Sequence, residues 1–259
     1  MNHGMYISAS GALTSMHRLD ALTNNLANVN TVGFKPHSPA VRQREAARIE
    51  DGLAFADSNA MLERLGGGVQ LVPTRIGFTQ GALQETGNPL DVAVNGDGFL
   101  MVRGDRNGDT AELRLTRDGR LSLDGNGTLV QSTTGRPVLS VGNQPIRLDP
   151  AKQVVIDGNG AVLQDGLEVS RIRFVDVPDR QRLDKRGDGL FGMSADAQES
   201  LAPATGLIVQ GSVESSTVDE IGALMKVQAA AGDARSNLAM IEYHDRLMDR
   251  AVNRLGRVA

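Results

Sequence analysis

The sequence predicts an α+β fold. N- and C-terminal helices pair as a coiled-coil-like inner domain, and the centre forms an all-β outer domain, antiparallel and rich in hairpins. Three observations carry this reading. Residues 218–259 hold an apolar heptad seam of Leu224, Val227, Ala231, Ala234, Leu238, Ile241, Met248, Val252 and Leu255, interrupted by Asp245. Residues 5–26 hold a thinner seam of Met5, Ala9, Ala12, Met16, Leu19 and Leu26, with Thr23 as its polar slot. Alternating three- and four-residue spacing keeps such a stripe facing a partner helix. Between the seams, short alternating strands are punctuated by Gly, Asn and Asp. The expected layout is an N-terminal helix with its following segment over 1–34, an extended arm or linker over 35–75, the β-rich domain over 76–208 and a C-terminal helical part over 209–259.

The first helix is expected from Met5 to Asn28, weakened at Gly11. It ends in a run of Asn, a residue that bonds its own main chain and favours turns. Gly33 accepts positive φ and Pro36 blocks regrowth. Within 35–75, Arg42 to Ile49 has helical character and Gly66-Gly-Gly68 is a joint. The arm is expected to become ordered on contact with neighbours.

From Val69 to Ile208 strand signals dominate. Leu90–Asn95, Phe99–Val102, Leu113–Thr116, Arg120–Leu123, Thr128–Gln131, Val154–Ile156, Val162–Leu163 and Val169–Val177 are the candidate strands. Asp118-Gly119 and Asp124-Gly-Asn-Gly127 read as hairpin turns, and Asp157-Gly-Asn-Gly160 repeats the second. No helical crossover separates these strands, so parallel pairing is not expected. Ser215, Ser216 or Thr217 is the expected cap of a last helix of about 35–40 residues, roughly 55 Å long at 1.5 Å per residue. Asp219 and Glu220 suit its start, and Arg246, Arg250, Arg254 and Arg257 its end.

Composition narrows function. Of 259 residues, 40% are hydrophobic but only 3% aromatic, with no Trp, so the core must be built from Leu, Val, Ile and Ala. A net charge of −4 supplies no field for nucleic acid. With no Cys there is no disulfide, Cys-ligated zinc or thiol nucleophile. No apolar run approaches the ~20 residues of a membrane span, so no membrane insertion is expected. The first ten residues lack the basic and apolar regions of a cleavable signal, so export is expected to leave the N-terminal helix in place. His3, His17, His37 and His244 have no metal-ligand spacing. Asp105-Arg-Asn107-Gly-Asp109 begins like a calcium loop but has Thr110 and Thr116 where Gly and Glu are required. No P-loop or nucleophile elbow occurs. No cofactor, metal or catalytic group is expected.

Four segments carry a resemblance. Asn24-Asn-Leu-Ala-Asn-Val-Asn-Thr-Val-Gly-Phe-Lys35 resembles the N-terminal signature of the flagellar basal-body rod and hook protein family. Asn88-Pro-Leu-Asp-Val-Ala-Val-Asn-Gly-Asp-Gly-Phe99 is similar to its second motif, and Thr116-Arg-Asp-Gly119 with Asp124, Gly127, Leu129 and Val130 to its third. Val213-Glu-Ser-Ser-Thr-Val-Asp219 resembles the lead-in to its C-terminal helix.

The resemblance implies a structural rod subunit, proximal or distal, that is not an enzyme. It implies export through the flagellar type III apparatus and assembly across the periplasm with other rod and hook-family subunits and with copies of itself. Residues 35–75 lack the long Gln/Ser-rich insert of the distal type, and this and Asp188-Gly-Leu-Phe191 favour the proximal type. The implied subunit-interface residues are Met5, Ala9, Ala12, Met16, Leu19, Leu26, Asn24, Asn25, Asn28, Leu224, Val227, Leu238, Ile241, Met248, Val252 and Leu255. Two departures stand out. Thr217 replaces the usual Asn, and Ala230-Ala-Gly-Asp-Ala-Arg235 replaces a Gln-Arg-aromatic-Glu cluster. The alternative classes are a soluble binding module with a cleft along residues 88–120, and an extracellular coiled-coil adhesin.

Overall fold

The computed structural model describes residues 3–45, 49, 66–104 and 112–255. The calcium-like stretch at 105–109 lies outside the described residues. The elements in chain order are α1 (His3–Ala27), β1 (His37–Gln43), β2 (Val69–Ile76), β3 (Leu83–Glu85), β4 (Val92–Asn95), β5 (Phe99–Arg103), β6 (Leu113–Thr116), β7 (Leu121–Leu123), β8 (Leu129–Gln131), β9 (Val154–Ile156), β10 (Ala161–Gln164), β11 (Leu167–Arg171), β12 (Phe174–Asp176), β13 (Leu183–Lys185), β14 (Leu190–Met193), α2 (Ala195–Glu199), β15 (Ala202–Pro203), β16 (Leu207–Gln210), β17 (Ser212–Glu214) and α3 (Glu220–Leu255). Terminal helices thus flank an antiparallel β-rich centre, an α+β arrangement. The chain divides into two units. One comprises residues 1–27, 37–76 and 219–259, the other residues 28–36 and 77–218.

In the helical unit α1 lies against α3, and the β1–β2 pair lies against α1. β1 and β2 are antiparallel, with Ala40 opposite Val72 and Arg42 opposite Gln70. Arg42 and Gln43, which have helical character in sequence, are therefore in a strand. The Asn25 side chain holds the start of β1, its Nδ2 donating to the His37 carbonyl at 2.7 Å and its Oδ1 accepting from the His37 amide at 2.8 Å. Asp219 caps α3. Its carbonyl accepts from the Ala223 amide at 2.8 Å and its Oδ2 from the Gly222 amide at 3.0 Å. The cap is therefore Asp219 rather than Ser215, Ser216 or Thr217. A Cβ at residue 222 would lie 2.3 Å from the Asp219 carboxylate, so Gly222 makes room for the cap.

In the β unit the strands form a six-stranded sheet of order β13-β14-β6-β5-β12-β15, a three-stranded sheet β11-β10-β9 and the pairs β16-β4, β17-β3 and β7-β8. Every pairing among the described strands is antiparallel. The core is aliphatic, built on Val92, Leu100, Leu121, Leu129, Val138 and Ile172. The scarce aromatic rings are gathered together, with Phe78, Phe99 and Phe191 meeting at centroid distances of 5.5–5.7 Å.

Asp124-Gly-Asn-Gly127 turns β7 into β8. The Asp124 carboxylate accepts from the amides of Asn126 and Thr128, and Gly127 sits at φ +74°. Asp157-Gly-Asn-Gly160 turns β9 into β10 with the same backbone geometry, Gly160 at φ +81° and its amide on the Asp157 carbonyl as that of Gly127 is on Asp124, although the Asp157 carboxylate accepts from Gly158 instead. Asp118-Gly119 does something else. β6 pairs with β5 and β14, and β7 with β8, so the chain changes sheet at Gly119 instead of forming a hairpin. There the Gly119 carbonyl accepts from the Val92 amide at 2.9 Å.

A Cβ on residue 119 would fall 1.7 Å from the Val92 carbonyl oxygen, whereas one on residue 125 would meet nothing within 4 Å. Gly119→Ala is therefore expected to destabilise the β unit by about 1–3 kcal/mol, the usual range for overpacking. Gly125→Ala should be neutral or slightly stabilising. Urea unfolding followed by circular dichroism compares the two.

Candidate assembly interface

Helix α3 packs on α1 through small side chains. Its inward stripe is Ala223, Val227, Ala230, Ala234, Asn237 and Ile241, buried or half-buried and spaced alternately by four and three. This shares Val227, Ala234 and Ile241 with the seam read from sequence. The other seam position falls one residue earlier, at Ala223, Ala230 and Asn237; Leu224 and Leu238 are exposed, and Ala231 is half-buried beside Ala230. The reason is distance. At Gly11 a Cβ would lie 2.7 Å from Asn237 Oδ1, so the helices meet where the side chains are smallest. A cleft of about 290 Å³ brings Gly11, Ser15 and Arg18 of α1 together with Asp233 and Asn237 of α3, with Val41 and Val69 of the strand pair also lining it.

The consequence for the larger residues is exposure. Leu224, Leu238, Met248 and Val252 are exposed, as are Ile221, Met225, Met240, Tyr243 and Leu247. The side chain of Leu255 lies outside the described residues. On α1, Ala12 is buried, Met5, Ala9, Leu19 and Leu26 are half-buried, and Met16 is exposed together with Tyr6 and Leu13. Asn25 is buried and used within the chain, Asn24 is exposed and Asn28 half-buried, where its Oδ1 accepts from the Thr31 hydroxyl at 3.0 Å. The structure therefore divides the candidate interface residues into those buried or half-buried within the chain, Asn25 and Asn28 among them through their bonds to His37 and Thr31, and those left exposed.

The β unit holds an arrangement that no residue pattern predicts. Lys35, Arg117 and Glu214 are each buried, yet they are 179 and 97 residues apart from Glu214 in sequence. Lys35 Nζ lies 2.6 Å from Glu214 Oε1, and Arg117 Nη1 lies 3.3 Å from Oε2. Lys35 also donates to the Thr79 carbonyl at 2.6 Å, Arg117 to the Gly96 carbonyl at 3.0 Å, and the Gly81 amide to Glu214 Oε1 at 2.8 Å. The Arg117 guanidinium covers the Phe99 ring at 5.0 Å. Burial lowers the pKa values of Lys35 and Arg117 from their ordinary values, and Glu214 opposes that shift. Gly33 completes the junction. Its amide donates to the Glu214 carbonyl at 2.7 Å, its φ is +68°, and a Cβ there would sit 2.5 Å from the Arg117 backbone. The only sequence signal was indirect, in that three of the resemblance-bearing segments each contribute one of the charges.

Lys185 is a third cation, half-buried but with its Nζ out of solvent, and has a different fate. Its Nζ lies 3.7 Å from the centre of the Phe34 ring and has no hydrogen-bond partner among the described residues. Burial pushes its pKa down to about 8. Cation–π attraction offsets only part of that desolvation.

Glu214→Gln leaves two buried cations without a counter-charge and is expected to cost about 3–5 kcal/mol in urea unfolding, while Glu168→Gln at the exposed Arg171 pair costs less than about 1 kcal/mol. Lys185 gives a pH test. Between about 8 and the ordinary lysine value of 10.5, the folded chain holds fewer protons at this site than the unfolded chain. Its contribution to stability therefore rises with pH across that window, and the whole penalty is present below it. Lys185→Met should raise Tm at pH 7, and the advantage over the parent should shrink toward pH 10.

Comparison with known proteins fits this geometry. Residues 5–35 match the family described as flagella basal body rod protein, and residues 93–164 match that described as flagellar hook protein FlgE/F/G D1 domain. The chain is 34% identical to the flagellar basal-body rod protein FlgF of Caulobacter vibrioides, with 100% of each chain covered. It is 28% identical to FlgF of Mesorhizobium japonicum over 99% of each chain, and 29% identical to the rod protein FlgG of Bacillus subtilis over 98% of this chain and 99% of the other. End-to-end similarity to rod proteins favours a structural subunit over a ligand-binding module or an adhesin. The chain belongs to the flagellar basal-body rod protein family of structural subunits.

Proposed function

We propose that this subunit builds the axial rod of the basal body by burying the outward faces of its terminal helices against neighbouring subunits, with the β unit carried as a preformed block. The observation that carries the proposal is the apolar face of α3, on which Leu224, Leu238 and Met248 are all exposed. Fully burying one such side chain is worth about 1.5–3 kcal/mol, so a few per subunit offset the cost of ordering the helix ends. The interhelical seam extends in coiled-coil fashion from the intrachain pair to its neighbours. The candidate interface residues that remain outward, Met16, Asn24, Leu224, Leu238, Met248 and Val252, make the intersubunit contacts. Partners are other rod and hook-family subunits, further copies of this chain, and the flagellar type III export apparatus. That apparatus passes the chain with its N-terminal segment uncleaved, its helices loose, into the periplasm.

The double variant Leu224→Asp/Leu238→Asp tests this. Both side chains point away from the α1 contact, so the purified monomer should keep its urea midpoint. Incorporation into basal bodies, and swimming with it, should be lost. Normal incorporation of the variant would refute the proposal.

A further inference from the structure

Between residues 180 and 186 the β unit carries four cations, Arg180, Arg182, Lys185 and Arg186. Arg180 lies 2.7 Å from Asp97 and 3.1 Å from Asp176, and Arg182 lies 3.1 Å from Asp179. Arg186 has Asp184 at 3.9 Å. Lys185 differs from all three. Its ammonium is out of solvent against the Phe34 ring, with neither a counter-charge nor a hydrogen-bond acceptor among the described residues. Asp184 cannot serve it, because neighbours along a strand point to opposite faces. The Thr217 hydroxyl is buried without a partner as well, and the Thr217 amide lies on the Phe34 carbonyl at 3.5 Å.

This placement is unfavourable in the free subunit. A methionine would fill much of the same space on Phe34 with no charge to desolvate, and a ring face returns only part of that cost. A side chain that breaks a local rule at the expense of stability marks a functional position. Access is available. β13 is the outer strand of the six-stranded sheet and pairs with β14 alone. Lys185 is half-buried, so part of its stem already reaches the surface, and rotation about that stem carries the ammonium outward.

Charge balance selects the guest. A polyanion or a membrane surface is held by several free cations, whereas the three arginines here already have carboxylates. One unpaired ammonium and one unpaired hydroxyl, both bordering Phe34, match the two oxygens of a single carboxylate. We infer that Lys185 is a docking point in the β unit for one Asp or Glu side chain of a neighbouring rod-family subunit, whose carboxylate draws the ammonium off Phe34. The inference rests on the rod-subunit reading and adds to it a contact made by the β unit instead of the helices.

Carbodiimide treatment joins an amine to a carboxylate that it touches, and the other lysines of the chain are only Lys35, Lys152 and Lys226. In assembled rods, mass spectrometry should find Lys185 linked to an Asp or Glu of another subunit, a link absent from the dilute monomer. Full-length Lys185→Met should have a higher Tm than the parent at pH 7 and yet enter basal bodies several-fold less, so that stability and assembly move in opposite directions. Lys185→Arg, which keeps the charge, should enter close to the parent level. Rods that form with Lys185 unlinked, or that take up Lys185→Met as well as the parent, overturn the inference and leave the rod reading intact. Equal loss in Lys185→Met and Lys185→Arg makes the requirement one of shape and overturns it too. A parent chain that enters no rod overturns both readings.

Discussion

The Glu214 carboxylate is the contact on which the β unit depends. It gathers Lys35, Arg117 and the Gly81 amide into one buried site, and its own carbonyl receives the Gly33 amide. Buried ion clusters add little net stability, because desolvating each charge costs several kcal/mol. What this one supplies is discrimination between arrangements. Only a chain that brings residues 33–35, 117 and 214 together avoids leaving a charge alone in a low-dielectric interior, at a cost of about 3–5 kcal/mol. An aliphatic core of interchangeable Val and Leu does not enforce that choice by itself. The carboxylate therefore specifies that the segment following α1 and the segment preceding α3 meet at the same place in the β unit.

The helical unit is built on the opposite principle. Its internal contact uses the smallest residues available, Gly11, Ala223, Ala230 and Ala234, and turns Leu224, Leu238 and Met248 away. An isolated helix of this kind gains little from its own packed face, since most helical stability in water comes from burying a large apolar stripe. A monomer that buries alanine and exposes leucine, isoleucine and methionine has an unspent hydrophobic driving force. That force is directed outward, where a polymer can use it. Exposed apolar area on this scale is otherwise an aggregation hazard, and the charged residues interleaved along α3 are what restrain it.

Much of the fold was legible in the sequence. Heptad spacing located α1 to within two residues at each end and the start of the last helix to within about one turn, and Asp-Gly-Asn-Gly turns located two hairpins, because each depends on local chemistry. The phase of the α1–α3 contact was not legible. A hydrophobicity pattern assigns Leu238 to the inside, whereas close helix approach at Gly11 selects Asn237, and that choice exists only once both helices are in place. Asp118-Gly119 read as a hairpin since nothing local distinguishes a tight turn from a change of sheet. Buried Lys35 and Arg117 were invisible for the same reason, as their partner is a carboxylate far along the chain. The cap at Asp219 rather than Thr217 was a contest between neighbours that Gly222 decided by making space.

Hydrogen exchange by mass spectrometry on the free subunit and on assembled rods tests the central claim most directly. That claim is that the β unit is complete in the monomer while the helices finish folding against neighbours. In the monomer, the amides of Gly33, Val92 and Gly81 should exchange slowly and those of residues 240–255 rapidly, with the helical amides becoming slow in the rod. Equal protection of α3 and the β unit in a dilute monomer, unchanged on assembly, would contradict it.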